Sequence, residues 1–421
     1  MSIELPIKLS FTNYLIWCSV STEHCHRPPI LPTEGIYRMN EISPSRGRYF
    51  PQLDALRGVA ALMVVINHFL LVSPLWWIPR SPLRLLALGH EAVILFFILS
   101  GFVLTLQLMS DRRIAYRDYA LRRICRIYLP YLAVLFAAFS VINLINIEPV
   151  KWAGSWFNDI WTGSFSGREI LDHLLFIGQY KANRVIPVIW SLIYEMRISL
   201  MMPLVVYCVS RFSARACLSA ALFISVVSFL FAMARNAGEA TNPSFSGDWV
   251  MTAHYLGMFI VGGTLARHRL SWQQWLAKGR RKMFVLAASL VLFFLSRLVL
   301  SINSGAVGQC IFDWCVVAGA AGIVCTAIAS RRFTLMLARG PVVFLGTISY
   351  SLYLTHTVVL LAVIHLMPAS GPAWHAIAMA VVLVIPVAAV THFVIERPSI
   401  LLGRYLTGRS VSASSRANQT S

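Results

Sequence analysis

The stretch LDALRGVAALMVVINHF, residues 53–69, is apolar and long enough to cross a bilayer, yet it carries Arg57, Asn67 and His68. Ionisable side chains at bilayer depth are costly, and their default reading is functional. Arg57 and His68 are eleven residues apart, so on a helix they fall within about 20° of one face and about 16 Å apart along the axis. With the amino terminus inside, Arg57 lies near the cytoplasmic surface and His68 near mid-membrane. Asp54, one turn before Arg57, is placed to pair with it. The plain alternatives are a snorkelling Arg57 and a His68 that hydrogen-bonds between helices.

The rest of the chain agrees with a membrane setting. Its 421 residues are 57% hydrophobic and 13% charged, where soluble domains carry about 25% charged residues. Mean hydropathy is +0.68, and the apolar residues come in blocks of about 20, the length of a membrane span. The expected fold is all-α, a polytopic transmembrane helical bundle of about ten spans: 54–73, 88–109, 127–146, 187–209, 216–235, 250–267, 283–301, 311–330, 343–367 and 373–396. One alternating set of loops then holds 25 Lys and Arg and the other holds six, which places both termini in the cytoplasm. The same distribution accounts for the net charge of +19 without nucleic acid, for which no module is present. The eight Cys form no C-x-x-C pair and no ligand spacing. They read as small buried hydrophobes, and no metal is expected.

Three regions follow. Residues 1–50 form an N-terminal extension, Pro-rich in STEHCHRPPILPTEG (21–35), with Met39 as an alternative start. Residues 51–400 form the transmembrane domain. Residues 401–421 are Ser-rich and read as a disordered cytoplasmic tail. The long outer loop 147–186 carries Trp152, Trp156 and Trp161 and an amphipathic pattern near 169–180. Those tryptophans suit a sugar-stacking surface and a lid over the bundle equally. No internal repeat of the transporter kind is visible.

Three further stretches put polar residues in or beside spans. In IWSLIYEMRISLMMP, 189–203, Glu195 lies about 12 Å from the start of its span, a depth that brings His68, Glu195 and Arg197 to one cavity. A histidine with a carboxylate is ordinary apparatus for general base catalysis. Trp190 reads equally as an interfacial anchor or as cavity lining beside Ser191. In GTISYSLYLTH, 346–356, Ser349, Tyr353 and His356 share a face, where helix packing explains them at least as well. In SDRRIAYRDYALRRICRIYLP, 110–130, six arginines occur, with Arg122, Arg123 and Arg126 on one helical face. Topology and anionic lipid account for them slightly better than a phosphate site does. Arg297 and Asp313 also fall within spans without an assigned role.

These stretches, with GHEAVILFFILSGFVLT (89–105) and IERP (395–398), occur in an order that resembles the acyltransferase-3 family of bacterial integral membrane acyltransferases, which includes O-antigen and other polysaccharide acetylases. The resemblance covers about residues 50–400. It implies an acyl group, usually acetyl, taken from cytoplasmic acyl-CoA as co-substrate and placed on a carbohydrate hydroxyl, often lipid-linked, at the bacterial inner membrane. It implies no bound cofactor. Arg57 and His68 match the family's Arg–x10–His pair, whose histidine is taken as essential. Arg122, Arg123 and Arg126 match the arginines associated with the CoA donor. Trp190, Ser191 and Glu195 match a Trp-Ser-Leu…Glu element. Two positions depart: Ile94 stands where relatives often have an acidic residue, with Glu91 as a nearby substitute, and Tyr194 stands where many have His.

The expected function is therefore a membrane O-acyltransferase with His68 as base, Glu195 orienting it and Arg57 steadying the donor. Direct transfer and a transient acyl-histidine both fit. G-x-S-x-G is absent, which argues against a serine nucleophile. The rivals are a transporter or flippase for a lipid-linked glycan, and a structural membrane protein without catalysis.

Overall fold

The computed structural model describes residues 50–417 apart from 73, 75–76, 79–80, 111–113, 146, 176–183, 236–247, 278–279, 300–304, 338 and 368–370. The extension expected over residues 1–50 lies outside them up to residue 49. Among the described residues the regular structure is helical, and nine helical stretches are long and apolar enough to cross a membrane. The protein is an all-α membrane bundle.

Nine of the expected spans correspond to those stretches. The tenth, 283–301, is the helix α10 (Arg281–Leu290), which passes through a π turn at Val291–Leu295 into α11 (Ser296–Val299). It carries three basic residues, Arg281, Lys282 and Arg297, where the nine stretches carry at most two charged residues over 18 positions. Span 127–146 belongs to a longer helix, α3 (Tyr116–Leu144), so Arg122, Arg123 and Arg126 sit on its first turns and not in a loop. The amphipathic segment of the outer loop is α5 (Gly167–Leu175). Beyond the last span, α17 (Arg397–Ala417) keeps the backbone helical where the sequence reads as a tail without order.

The core is organised around α1 (Pro51–Val72), α2 (Gly89–Ser110), α6 (Ile189–Arg211), α8 (Trp249–Arg267) and α15 (Ser349–Leu366). Without a hydrophobic force between helices in lipid, close packing needs small residues at the crossings. At the α2–α8 crossing a Cβ on Gly262 would overlap the Ile98 carbonyl oxygen. At the crossing of α1 with α14 (Gly340–Thr347), a Cβ on Gly58 would lie 2.5 Å from Gly346 N. That contact also explains why 343–367 is not one helix. Gly346 lies against the backbone of Asp54, and the chain turns at Ile348 (φ −90°, ψ 5°) before α15 begins.

The loop after α3 has its own order. The short helix α4 (Ser155–Asn158) packs on α1. At the start of α5, Ser166 N donates to Glu169 Oε2 (2.8 Å) and Glu169 N donates to Ser166 Oγ (3.2 Å), a reciprocal capping box. Arg184 adds an ion pair at 3.2 Å. The backbone and hydroxyl hydrogen bonds from Ser166 hold the Glu169 carboxyl below its ordinary value. Burial holds the His173 imidazole at about 4, below the ordinary 6.5, and Tyr131 OH donates to the His173 carbonyl at 3.1 Å.

Two predictions follow from these packings. Overpacking costs about 1–3 kcal/mol, so Gly58→Ala lowers the thermal midpoint of the purified protein, while Gly340→Ala, with nothing within 4 Å of its Cβ, leaves it unchanged. Both lowered values on α5 act in one direction. Docking is complete above pH 6.5, weakens as His173 charges towards about 4, and weakens further as Glu169 protonates. Hydrogen exchange over 167–175 therefore rises on acidification, and Glu169→Gln, which keeps the cap, removes the lower step.

Candidate functional site

α1 and α15 bring His68 and His356 together, with ring centroids 5.0 Å apart. His68 Nδ1 lies 3.0 Å from the Val64 carbonyl and 3.1 Å from His356 Nε2. His356 Nδ1 lies 3.1 Å from the Leu352 carbonyl. A carbonyl only accepts, so in the neutral rings both Nδ1 atoms carry the proton. His356 Nε2 is then a lone pair that accepts from His68 Nδ1–H, and His68 Nε2 makes no hydrogen bond among the described residues. His356 is fully buried and His68 is half-buried, with the Trp156 ring of α4 5.3 Å away.

One turn back along α15, Tyr353 OH and Ser191 Oγ are 2.5 Å apart. Ser191 also donates to the Val188 carbonyl at 3.1 Å, so its oxygen accepts from the phenol. Below this pair is a cavity of about 20 Å³ lined by Arg57, Ser191, Glu195, Ser349, Tyr350 and Tyr353 among others, room for about one water. Ser100 donates to Glu195 Oε1 at 3.3 Å, and Arg123 Nη2 lies 3.5 Å from the same oxygen. Arg122 is committed elsewhere, donating to Thr407 on α17 at 2.8 Å. Arg57 and Arg126 are half-buried and make no hydrogen bond or ion pair among the described residues. The polar side chains therefore form a column: arginines and Glu195 at one end, Tyr353 and Ser191 next, the histidine pair beyond.

Several expected pairings are not formed. No hydrogen bond or ion pair joins His68 to Glu195 or Arg57 to Asp54 among the described residues. Glu195 lies at the level of Arg57 because α6 begins already sunk in the bundle: Val185, Ile186, Val188 and Ile189 are buried, so depth counted from Pro187 as a surface residue misplaces it. Arg197 turns away, donating to Thr252 (3.2 Å) and lying 3.7 Å over the Trp249 ring. Trp190 is neither an interfacial anchor nor beside His68. It is buried among His90, Tyr194 and Tyr255. Glu91 pairs with Arg297 at 2.9 Å and is not among the residues that line this cavity.

Two buried clusters were not foreseen. Asp313, on α12 (Gly305–Ala329), accepts from His90 Nε2 (2.8 Å), His254 Nε2 (3.1 Å) and Gln309 (3.0 Å), tying α12 to α2 and α8. Each of these ionisable residues stands near the same end of its span, and that shared depth was the available signal. Glu396 accepts from Ser351 (2.7 Å) and His392 (2.9 Å) in a π turn at His392–Glu396 after α16 (Ala373–Thr391). Among the described residues no group of three or more His, Cys, Asp or Glu is arranged to hold a metal ion.

The family model described as an acyltransferase domain matches residues 50–393, which include α1, α15 and every residue of the column. No curated protein and no solved structure matches the chain significantly. With the family model covering most of the chain and the helices fitted to a bilayer, this protein belongs to the acyltransferase-3 family and is a membrane acyltransferase.

Proposed function

We propose that the protein moves an acyl group, acetyl in the first instance, from acyl-CoA to a hydroxyl of a cell-envelope or exported carbohydrate at the bacterial inner membrane. The observation that carries this reading is His68 Nε2, set by His356 and lined up with two arginines, all three unpaired among the described residues.

Arg57 and Arg126 supply charge and fork-shaped donors for the phosphates of CoA. Arg123 is held by Glu195 and contributes to the same field. The thioester passes the Tyr353–Ser191 contact, which parts to admit it. The acceptor hydroxyl gives its proton to His68 Nε2 as its oxygen attacks the thioester carbonyl. The tetrahedral adduct collapses, the C–S bond breaks, and the imidazolium returns the proton to the CoA thiolate. His356 takes the orienting part that a carboxylate plays in hydrolytic triads, and Glu195 belongs to the donor end. The same nitrogen serves an acyl-histidine route.

The test is CoA release from acetyl-CoA by purified protein, with and without envelope glycan. His68→Ala is expected to lower kcat by about 10²–10⁴-fold. Arg57→Ala is expected to raise the KM for acetyl-CoA by roughly tenfold or more with a smaller effect on acceptor KM. Glycan-dependent release that survives His68→Ala removes His68 from the chemistry. No release with any acyl-CoA, by protein shown to be folded, favours the flippase reading, in which the column is a permeation path.

A further inference from the structure

Acyl transfer at His68 builds negative charge on an atom that has no partner so far. As the acceptor hydroxyl attacks, the thioester carbonyl oxygen becomes an oxyanion. Within a helical bundle water does not supply hydrogen bonds freely, and a fixed O–H or N–H aimed at that oxygen is worth far more than it is in water. The column holds such a group. Tyr353 OH and Ser191 Oγ are 2.5 Å apart, and Ser191 gives its own proton to the Val188 carbonyl at 3.1 Å. The phenol therefore supplies the proton of the pair.

The Tyr353 ring is held on two sides. Phe96 stands edge-on to it with centroids 5.7 Å apart, and the His356 ring lies 6.0 Å away. His356 in turn meets His68, with centroids 5.0 Å apart. Tyr353 lines the arginine cavity and stands one turn before His356, about 4.5 Å along α15. It thus separates the end that holds the CoA phosphates from the histidine that takes the acceptor proton. Tyr353 and Ser191 are buried, as are Val93, Phe97 and Leu192 of the cavity wall. Two other hydroxyls nearby are committed: Ser100 donates to Glu195, and Tyr350 donates to the Ile127 carbonyl. The Tyr353–Ser191 bond is the one that must open for the thioester to reach His68. Opening it strips a buried O–H of its acceptor, which is costly. The thioester carbonyl oxygen, arriving in the gap, restores an acceptor.

We propose that Tyr353 is a catalytic residue whose phenol donates to the thioester carbonyl oxygen and stabilises the oxyanion of the tetrahedral adduct. The proposal rests on the reading that His68 is the base acting on an acyl-CoA thioester. The phenol keeps its proton throughout. As the new C–O bond forms, the carbonyl π pair moves onto oxygen and the acceptor proton goes to His68 Nε2. As C=O re-forms, the C–S bond breaks and the imidazolium gives that proton to the CoA thiolate. Ser191 is a positioning residue: it keeps the phenol aimed along the column until acyl-CoA arrives. Opening of the contact and completion of the site are then one event.

The experiment uses the full chain in nanodiscs and two readouts. The first is acetyl transfer by native protein, Tyr353→Phe and Ser191→Ala, each shown to be folded by its thermal midpoint. Tyr353→Phe keeps the ring and is expected to lower kcat by about 10²–10³-fold with little change in the KM for acetyl-CoA. Ser191→Ala breaks the same resting contact and is expected to lower kcat at least about tenfold less. The second readout is the infrared carbonyl stretch of labelled acetyl-CoA bound to His68→Ala protein. It is expected at lower wavenumber than in the same protein carrying Tyr353→Phe. Where acetyl transfer is present, full kcat in Tyr353→Phe, or equal losses in the two variants, overturns the role of Tyr353 and leaves acyl transfer standing. A carbonyl stretch that ignores Tyr353 overturns it in any case. A Tyr353-dependent stretch in a protein that transfers no acetyl keeps the contact and overturns the catalytic reading.

Discussion

A polar side chain inside hydrocarbon must find its partner on another helix, because no water is there to supply one. Most buried polar groups of this bundle obey that constraint by tying helices together. Asp313 joins α12 to α2 and α8 through His90 and His254. Arg297 on α11 joins Glu91 on α2. Glu396 holds Ser351 of α15. Arg57, Arg126 and the Nε2 of His68 make no such tie among the described residues, and they fall on one column.

α15 organises that column. Within two turns Tyr350 donates to Ile127 of α3 (2.6 Å), Ser351 to Glu396, Tyr353 to Ser191 of α6, and His356 meets His68 of α1. Its start is fixed by the glycine crossing of α14 with α1. The spacing of the site is therefore set by backbone contacts several residues from the chemistry. A shift at the Gly58–Gly346 crossing moves the histidine pair relative to the arginines.

The apolar blocks and the face shared by Arg57 and His68 were legible in sequence, because both depend only on helix period and span length. So was the α5 segment. What stayed hidden depends on where a helix starts in space. α6 begins below the surface, so Glu195 went to the arginine end and not to His68. α3 begins eleven residues before its expected span, which turns the arginine loop into a helical face. In sequence His356 reads as cavity lining or as helix packing, since nothing local distinguishes a histidine that meets another histidine from one that braces a neighbour. The Asp313 cluster needed three helices at once.

In the proposed reaction the bundle is a path, with the donor at the arginine end and the acceptor at the loop end. The most direct test is protein reconstituted in one orientation in sealed vesicles, with acetyl-CoA confined to the side of Arg126 and envelope oligosaccharide to the side of the Trp152 loop. Acetylated product on the loop side, with CoA released on the arginine side, is the predicted result. Product that forms only when both substrates share one side contradicts the column as the route between them.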